Sequence, residues 1–479
     1  MVRQLILLAL LLVAPAAAIA HDVVLNNYGE PSVPASAADQ PRITAVLMHN
    51  GSVITDSGVP VVITAFVDTG ASSAAVISYL NAVGYSDDLL GQLVLSLGLD
   101  GKTPGQFIGH YTDTGIGGGE TGDVTWPLGI RLLNGPIDTV DGSIYASYAS
   151  QFVDYGAMNL WVRRAIGVGE LTDVLGPDPV NIVGTPVIQQ RVMVVDPSPL
   201  ADLAPMNTSL LAAGDANIPA TNLTFALTLQ DFTGPLAIGE TRPSQGNNPA
   251  FTQIGLLHTP AGGTKRMLQN QHWLFDSGAS SSFLSLQTAW SLGLVPNGMS
   301  LADFTTQWAA QGGIVLPVGG VGAAVNAPVV TVNEIRLPAQ NTQDVLVWQN
   351  VDVLIVDVPG LDGVFGLNLL LPSVTVDPNN PLAGLNFSTG YFDFIIFDAA
   401  AGQLRLQTGF TLPPIPGDFD GNRRVNGKDF LIWQAHYPMA SGATLTDGDA
   451  NGDGRVNGAD FLIWQQNYVP ETALSPPGH

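Results

Sequence analysis

The chain has 479 residues, of which 46% are hydrophobic and 12% are charged. That length suits two or three domains, and the apolar content permits a large buried core, which excludes wholesale disorder. The net charge of -24 argues against nucleic acid and anionic membranes as partners, because both carry negative charge themselves. Calcium, cationic peptides and neutral polymers stay open as partners.

The first twenty residues have the pattern of a secretory signal peptide. Arg3 provides the charged start, Leu5–Val13 is apolar, and Ala18–Ala20 supplies small residues for cleavage. The sequence therefore predicts export, an extracellular or cell-surface location, and no membrane span after signal removal. A membrane anchor is the alternative, but the apolar run is short. Cysteine is absent, so disulfides cannot stabilise the exported chain, which fits a bacterial exoprotein.

From Ile43 to about Gln407, short apolar runs alternate with clusters of Gly, Pro, Asn and Asp. The 54 Gly and 34 Pro residues favour turns, and the β-branched content favours strands. Strands are predicted within Val59–Val67, Val180–Val195, Leu223–Leu229, Val345–Val356 and Phe392–Leu406. Short helices are predicted at Ser86–Leu99 and Leu286–Leu292, and Pro197–Ala220 is interpreted as the link between two halves.

A long repeat relates the two halves. Phe66–Ser73 (FVDTGASS) recurs as Leu274–Ser281 (LFDSGASS), and each copy is an apolar strand running into Asp, a hydroxyl residue and Gly. Gly permits a tight turn and leaves the carboxylates of Asp68 and Asp276 at the ends of rigid elements. Two such carboxylates brought together share a proton, so one can activate water while the other polarises a carbonyl. An ordinary Asp-Gly turn is the alternative for one copy, but the duplication favours a site.

These motifs resemble those of the pepsin-like aspartic proteases, a family of two-lobed, mostly antiparallel β enzymes with a cleft between the lobes. The family also has an apolar-apolar-Gly motif later in each lobe, which Ile182–Gly184 and Val364–Gly366 match. Tyr391–Asp398 is similar to the family's closing strands. The resemblance covers residues 43–407 and implies a mainly β, bilobal acid-protease fold with two lobes related by a pseudo-two-fold axis.

The resemblance also implies roles for individual residues, and it implies catalysis without a cofactor on a peptide or protein substrate. The expected residues are the catalytic pair Asp68 and Asp276, the loop supports Thr69, Gly70, Ser277 and Gly278, and the possible flap residue Tyr111. The hydroxyl residues would cross-link the two loops, and the glycines would let backbone amides approach the carboxylates. The flap is a hairpin that covers the cleft.

The chain departs from pepsin at several positions. Ala71 and Ala279 stand where pepsin has hydroxyl residues, as they do in retroviral-type, or retropepsin-like, members. Losing a hydroxyl donor to the carboxylate should raise the lower pKa of the pair and move the activity optimum to milder acidity. The family's cysteines are missing, and Ala74–Val76 stands where its Trp is expected.

A second, shorter repeat lies near the C-terminus, where Asp418–Gln434 recurs as Asp449–Gln465. Each copy has oxygen donors at loop positions 1, 3, 5, 9 and 12 and a backbone carbonyl at position 7, which suits the six to eight hard ligands of Ca²⁺. The predicted ligands of the two sites are Asp418, Asp420, Asn422, Arg424, Asn426 and Asp429, then Asp449, Asn451, Asp453, Arg455, Asn457 and Asp460. Arg423 replaces the sharp-turn Gly of the second copy, so we expect the first site to be weaker.

The duplicated loops and the apolar run after each of them resemble type I dockerins, which implies a small helical, EF-hand-like module and a cohesin-like partner. Positions 10 and 11 are Gly427–Lys428 and Gly458–Ala459, which differ from the common Ser/Thr pair and leave the partner's identity open. The predicted organisation is signal peptide 1–20, first lobe 21–205, second lobe 206–410, Pro-rich linker 411–416, dockerin-like module 417–468 and tail 469–479.

The sequence thus favours a secreted aspartic endopeptidase tethered through its calcium module. An inactive pepsin-like scaffold in a calcium-linked extracellular assembly is the first alternative. A component of polysaccharide degradation is the second, and it depends on the dockerin association alone.

Overall fold

A computed structural model describes residues 21–25, 36–78, 107–115, 118–135, 143–164, 181–202, 204–319, 324–357, 360–375, 386–387 and 390–470. The predicted signal peptide, the predicted helix Ser86–Leu99 and most of the tail lie outside the described residues. Strand accounts for 42% and helix for 16% of the structure, which confirms the mainly β prediction.

The described strands of the first half are β1 His21–Leu25, β2 Ser36–Ala37, β3 Arg42–His49, β4 Ser52–Val53, β5 Thr55–Asp56, β6 Val59–Pro60, β7 Ile63–Val67, β8 Ala75–Ser78, β9 Gly109–Gly115, β10 Gly118–Val124, β11 Leu128–Leu133, β12 Val153–Met158, β13 Trp161–Arg164, β14 Asn181–Val183, β15 Val192–Asp196 and β16 Asn207–Leu211. Those of the second half are β17 Leu223–Ala226, β18 Thr228–Gln230, β19 Asn248–His258, β20 Arg266–Phe275, β21 Phe283–Ser285, β22 Val315–Val318, β23 Val325–Pro338, β24 Asp344–Val356, β25 Gly363–Phe365, β26 Ser373–Thr375, β27 Asn386–Phe387, β28 Phe392–Asp398 and β29 Gln403–Thr408.

The described α-helices are α1 Ser143–Tyr148, α2 Thr185–Ile188, α3 Leu286–Leu292, α4 Leu301–Ala310, α5 Gly427–His436 and α6 Gly458–Asn467. The predicted helix Leu286–Leu292 is present as α3, where Ser285 caps the first turn through Thr288 N and Gly293 ends the helix at φ 76°. Within the described part of the chain, each helix is too short or too polar to cross a bilayer.

Three sheets organise the β region. The first has the order β12-β11-β3-β7-β14-β8-β13-β10-β9, with β4 beside β3. The second has the order β1-β24-β21-β25-β20-β19-β23-β22, with β18 beside β19. The third, β16-β15-β28-β29-β17, combines strands from both halves of the chain.

The first two sheets share one local arrangement. In the first sheet β14 pairs in parallel with β7 and antiparallel with β8. In the second sheet β25 pairs in parallel with β20 and antiparallel with β21. Since β7 and β20 are the strands that run into the two repeated Asp-Gly motifs, the sequence repeat corresponds to a repeat of strand pairing.

The sequence misplaced some boundaries. The run Val180–Val195 is not one strand, because α2 separates β14 from β15, and Pro186 lies in its first turn, where a missing amide costs nothing. The predicted link Pro197–Ala220 contains β16, whose alternating burial places one face against the core. Residues 21–25 were assigned to the first lobe, whereas β1 pairs in parallel with β24 of the second sheet.

Part of the main core cluster is a group of aromatic residues that lies under the second Asp-Gly motif. Phe275 at the end of β20 and Phe365 at the end of β25 are fully buried, with ring centroids 6.3 Å apart. Phe397 of β28 packs on Phe275 at 6.0 Å, and Trp348 of β24 packs on Phe365 at 5.5 Å. Aromatic rings from the second and third sheets therefore fix the strand ends that carry the motif.

Candidate functional site

Two short loops, the first aspartate loop (Asp68–Ser72) and the second aspartate loop (Asp276–Ser280), begin where β7 and β20 end. The amide of Asp68 donates to Val183 O at 3.0 Å, and the amide of Asp276 donates to Phe365 O at 3.1 Å. Each aspartate is thus held at a strand end by the neighbouring parallel strand. A backbone held in this way gives its carboxylate a defined position.

The hydroxyl residues join the two loops through four reciprocal hydrogen bonds. The amide of Thr69 donates to Ser277 Oγ at 3.0 Å, and the amide of Ser277 donates to Thr69 Oγ1 at 2.9 Å. Thr69 Oγ1 in turn donates to Phe275 O at 2.8 Å, and Ser277 Oγ donates to Val67 O at 2.7 Å. Both hydroxyl residues are completely buried. Residues 208 positions apart in the sequence are therefore held together by buried hydrogen bonds.

The glycines bring each loop against the carboxyl group of the other. A Cβ on Gly70 would lie 2.4 Å from Asp276 Cγ, and a Cβ on Gly278 would lie 2.5 Å from Asp68 Cγ. Such distances do not occur between real side chains, so only glycine fits at either position. The structure therefore brings Asp68 and Asp276 together across this pair of glycines.

Backbone amides hold one oxygen of each carboxylate. Asp68 Oδ1 accepts from Gly70 N at 2.7 Å and from Ala71 N at 3.1 Å. Asp276 Oδ1 accepts from Gly278 N and Ala279 N at 2.8 and 3.1 Å. Where the sequence lacks hydroxyl donors, the loop still donates through its main chain.

Burial has the largest effect on the pKa values of Asp68 and Asp276. It raises the pKa of Asp68, while hydrogen bonds from Asp276 and from loop amides act in the opposite direction. Burial also raises the pKa of Asp276, and the adjacent negative charge of Asp68 raises it further, well above its ordinary value. The two groups titrate as a pair, in which ionisation of one opposes ionisation of the other.

The two apolar-apolar-Gly motifs lie directly behind the aspartate loops. A Cβ on Gly184 would be 2.1 Å from Ser73 O, and a Cβ on Gly366 would be 2.4 Å from Ser281 O. After each glycine the chain donates back to the loop, from Thr185 N to Ala71 O at 3.0 Å and from Leu367 N to Ala279 O at 2.9 Å. The motifs predicted to pack beside the loops do so in equivalent ways.

Tyr111 lies in a β-hairpin formed by β9 and β10, but its ring is packed into the protein and is only 4% exposed. Trp161 meets it edge-on with ring centroids 6.3 Å apart and donates from Nε1 to Tyr111 O at 3.2 Å. Gln245 donates to the Tyr111 hydroxyl at 3.2 Å, and the next amide, Gly246 N, donates to Ser72 O at 2.9 Å. The hairpin is therefore tied to the first aspartate loop.

Three residues at this site have no signal in the local sequence. Trp161 of β13 is the register partner of Ala75, so it brings an indole to the region where the sequence suggested that one was missing. Asn248 donates from Nδ2 to Thr69 O at 3.0 Å and Gly70 O at 2.9 Å, and Gln40 donates from Nε2 to Gly278 O. Each aspartate loop is thus braced by a side chain from elsewhere in the chain.

The C-terminal repeat forms two loops, the first calcium loop (418–429) and the second calcium loop (449–460), each followed by a helix. In the first, Asp418, Asp420 and Asp429 each offer a carboxylate oxygen, and these oxygens lie within 4.8 Å of one another. Burial, followed by the charges of Asp429 and Asp420, raises the pKa of Asp418 to about 6. A Ca²⁺ ion bound here would offset the mutual repulsion of carboxylates held this close.

Loop amides orient the carboxylates in the same way in both copies. Asp418 accepts from Arg423 N at 2.8 Å, and Asp449 accepts from Gly454 N at 2.7 Å. The position-12 acids cap the helices that follow, since Asp429 accepts from Asn426 N and Asp460 accepts from Asn457 N, both at 2.8 Å. These contacts prearrange the predicted oxygen ligands, with Arg424 and Arg455 contributing only a backbone carbonyl in that prediction.

The two helices pack about aromatic residues with matching roles. Trp433 Nε1 donates to Asn457 O at 2.9 Å, and Trp464 Nε1 donates to Asn426 O at 3.0 Å. Each helix of one copy therefore holds the calcium loop of the other copy. The exposed position-10 and position-11 residues stay outside this core.

Comparison with known protein families matches residues 416–467 to the Dockerin type I domain. The match supports both the dockerin prediction and calcium binding by this segment. It coincides with the predicted module at 417–468 to within one residue at each end. No curated protein matches the chain.

Replacing Thr69 by Val should remove the two hydrogen bonds of its hydroxyl group while keeping the shape of the side chain. Phe275 O and the Ser277 amide would lose their buried partner, so we expect the free energy of unfolding to fall by about 2–5 kcal/mol. Urea denaturation measures the change. The control is Thr306→Val on the exposed face of α4, where a change within about 0.5 kcal/mol is expected. Equal effects of the two substitutions would contradict this account.

Calcium titration of the full chain by calorimetry should resolve one ion in each calcium loop. Asp429→Ala removes a ligand and helix cap of the first loop, so only the second loop should bind; Asp460→Ala should have the converse effect. Asp303→Ala removes an exposed carboxylate in the first turn of α4, outside both loops, and should leave both sites intact. Loss of both ions with either single substitution would show that the sites are not separable.

Proposed function

We propose that the chain is a secreted aspartic endopeptidase with a pepsin-like, two-lobed β region, tethered through its dockerin-type module. One observation carries the catalytic part: the reciprocal Thr69–Ser277 bonds hold two partly buried carboxyl groups together, each against the glycine of the other loop. The repeated strand pairing beneath the two loops supports the pseudo-two-fold relation of the lobes.

The chemistry follows from one proton shared by two acids. With one carboxyl protonated and the other ionised, the pair can take a proton from a bound water and donate one to a substrate carbonyl. Water then attacks the carbonyl carbon, the amide becomes tetrahedral, and transfer of a proton to nitrogen releases the amine. We assign the acid and base roles to the pair rather than to Asp68 or Asp276 alone.

The β9–β10 hairpin is the proposed cover of the cleft, since Gln245 and Gly246 connect it to the first aspartate loop. The position of Tyr111 favours the alternative of a catalytically inactive, peptide-binding scaffold, because its ring and hydroxyl are occupied by Trp161 and Gln245. Activity and the scaffold alternative differ in one outcome, which is peptide-bond cleavage.

The dockerin-type segment implies assembly with a cohesin-like protein outside the cell. Leu431 of α5 and Leu462 of α6, which are 60% and 56% exposed, lie at equivalent positions of the repeat. Exposed leucines at the same place in both copies suit a partner that covers an apolar surface. Export through the predicted signal peptide would bring the module to such a partner.

Purified full-length protein should hydrolyse casein, and pepstatin should inhibit it. Asp68→Asn and Asp276→Asn should each lower the rate by at least about 100-fold, because neither variant can share a proton between two acids. Asp303→Asn, on the exposed first turn of α4, is the matched control and should keep the full rate. Cleavage that survives in the two dyad variants would eliminate this pair as the catalytic acids. Absence of cleavage by the wild type at any pH from about 3 to 7 would favour the scaffold.

The pH dependence of casein cleavage should show an optimum at milder acidity than that of pepsin. The active pair holds one proton, and this proton is lost as pH rises through the upper apparent pKa of the pair. Because burial and mutual repulsion raise that pKa above the ordinary value of about 4, we expect the optimum between about pH 4 and 6. A rate profile from initial velocities tests this, and a maximum near about pH 2 would contradict it.

A further inference from the structure

The first calcium loop forms hydrogen bonds with the β region. The second calcium loop resembles the first in sequence, but its described hydrogen bonds lie within the C-terminal segment. The segment that contacts the first loop, named here the docking segment, is residues 340–344, which follow β23 and end at the first residue of β24. Its contacts involve both side chains and main chain of Arg423, Arg424 and Val425. The interface therefore belongs to the calcium loop itself and not to the preceding linker alone.

A buried ion pair is the centre of this contact. Asp344 is 1% exposed and receives two hydrogen bonds from the Arg423 guanidinium, both at 2.6 Å. His21 Nδ1 lies 3.0 Å from the same carboxylate, and the His21 amide donates to Gln343 O at 3.0 Å. The two-pronged geometry is the strongest form of an arginine–carboxylate pair, and burial makes removal of one partner costly.

Further hydrogen bonds surround the ion pair. The amide of Gln343 donates to Arg423 O at 3.1 Å, and the amide of Val425 donates to Gln343 Oε1 at 2.9 Å. Arg424 donates to the carbonyls of Asn341 and Gln340 at 2.7 and 2.8 Å. The calcium loop thus meets the docking segment through a network in which main-chain positions are fixed on both sides.

The second calcium loop provides the internal comparison. Its residue at position 6 is Gly454, with φ 80°, and its position-7 Arg455 is exposed. In the first loop Arg423 adopts φ 62° at position 6, a left-handed conformation that is unfavourable for a non-glycine residue. A strained arginine at a position suited to glycine is explained when its side chain makes a contact that glycine cannot make.

Calcium binding and docking share one stretch of backbone. The carboxylate of Asp418, the predicted position-1 ligand, accepts from the Arg423 amide at 2.8 Å. The carbonyl of Arg423 accepts from the Gln343 amide. An ion that orders the first loop would also order Arg423, which donates to the Asp344 carboxylate. By thermodynamic linkage, docking and calcium occupancy then stabilise each other.

We infer that the docking segment is a built surface for the first calcium loop, and that calcium in this loop stabilises the packing of β1 and β24. Among the described residues, the second calcium loop makes no hydrogen bond to the β region, so an ion bound there should have little effect on that packing. The inference depends on calcium binding by the first loop, as proposed above, but it does not depend on proteolytic activity.

Hydrogen–deuterium exchange of the full chain, in calcium and in chelator, tests the coupling. In wild type, calcium should slow exchange in residues 340–348 by about fivefold or more. Asp418→Asn should abolish this protection. The matched variant Asp449→Asn also replaces a buried position-1 acid, but it lies in the second loop and should leave the protection intact. Arg423→Gly keeps a residue suited to the positive φ, so it should still bind two ions but lose the protection.

Calorimetry on the same samples separates the possible failures. Calcium that fills both loops without changing exchange at 340–348 would overturn the inference and leave the calcium-binding proposal intact. Equal effects of Asp418→Asn and Asp449→Asn would also overturn it, because the first loop would then have no special role. A first loop that binds no calcium in wild type would overturn both the coupling and the two-site proposal.

Discussion

The candidate site depends on the crossed pair of hydroxyl residues, Thr69 and Ser277. Each hydroxyl accepts from the other's backbone amide and donates to a carbonyl on the opposite strand, so neither loop can move without breaking buried hydrogen bonds. The carboxyl groups of Asp68 and Asp276 repel each other when both are ionised, and burial increases that cost. Bonds that hold the loops together oppose this repulsion and maintain the raised pKa values on which shared-proton chemistry depends.

In the dockerin-type segment, too, hydrogen bonds hold two copies of a repeated motif together. In both cases a duplicated motif gives two nearly equivalent units, and the contacts around them make the units differ. The first calcium loop has Arg423 at position 6, paired with a buried carboxylate, whereas the second has Gly454 at that position. Two copies of one motif therefore make different contacts, and the ion pair between the first loop and the β region uses an arginine that the second loop lacks at position 6.

The sequence predicted features that depend on short spacing or on repetition. Three features could be predicted because they depend on residues close together in the sequence. They are the Asp68 and Asp276 motifs, the helix Leu286–Leu292 and the ligand spacing of the calcium loops. Trp161, Asn248 and Asp344 were missed because their roles arise from strand register and from chain segments far apart. Nothing near Asp344 in the sequence indicates that it meets an arginine from another module.

The third sheet has a consequence for the order in which the chain can fold. Strand β15 of the first half has β16 on one side and β28 on the other, so its pairing is complete only when Phe392–Asp398 is present. During synthesis, the first half would expose an unpaired strand edge until β28 has been made. Final closure of the β region is therefore a late event, shortly before the dockerin-type segment follows.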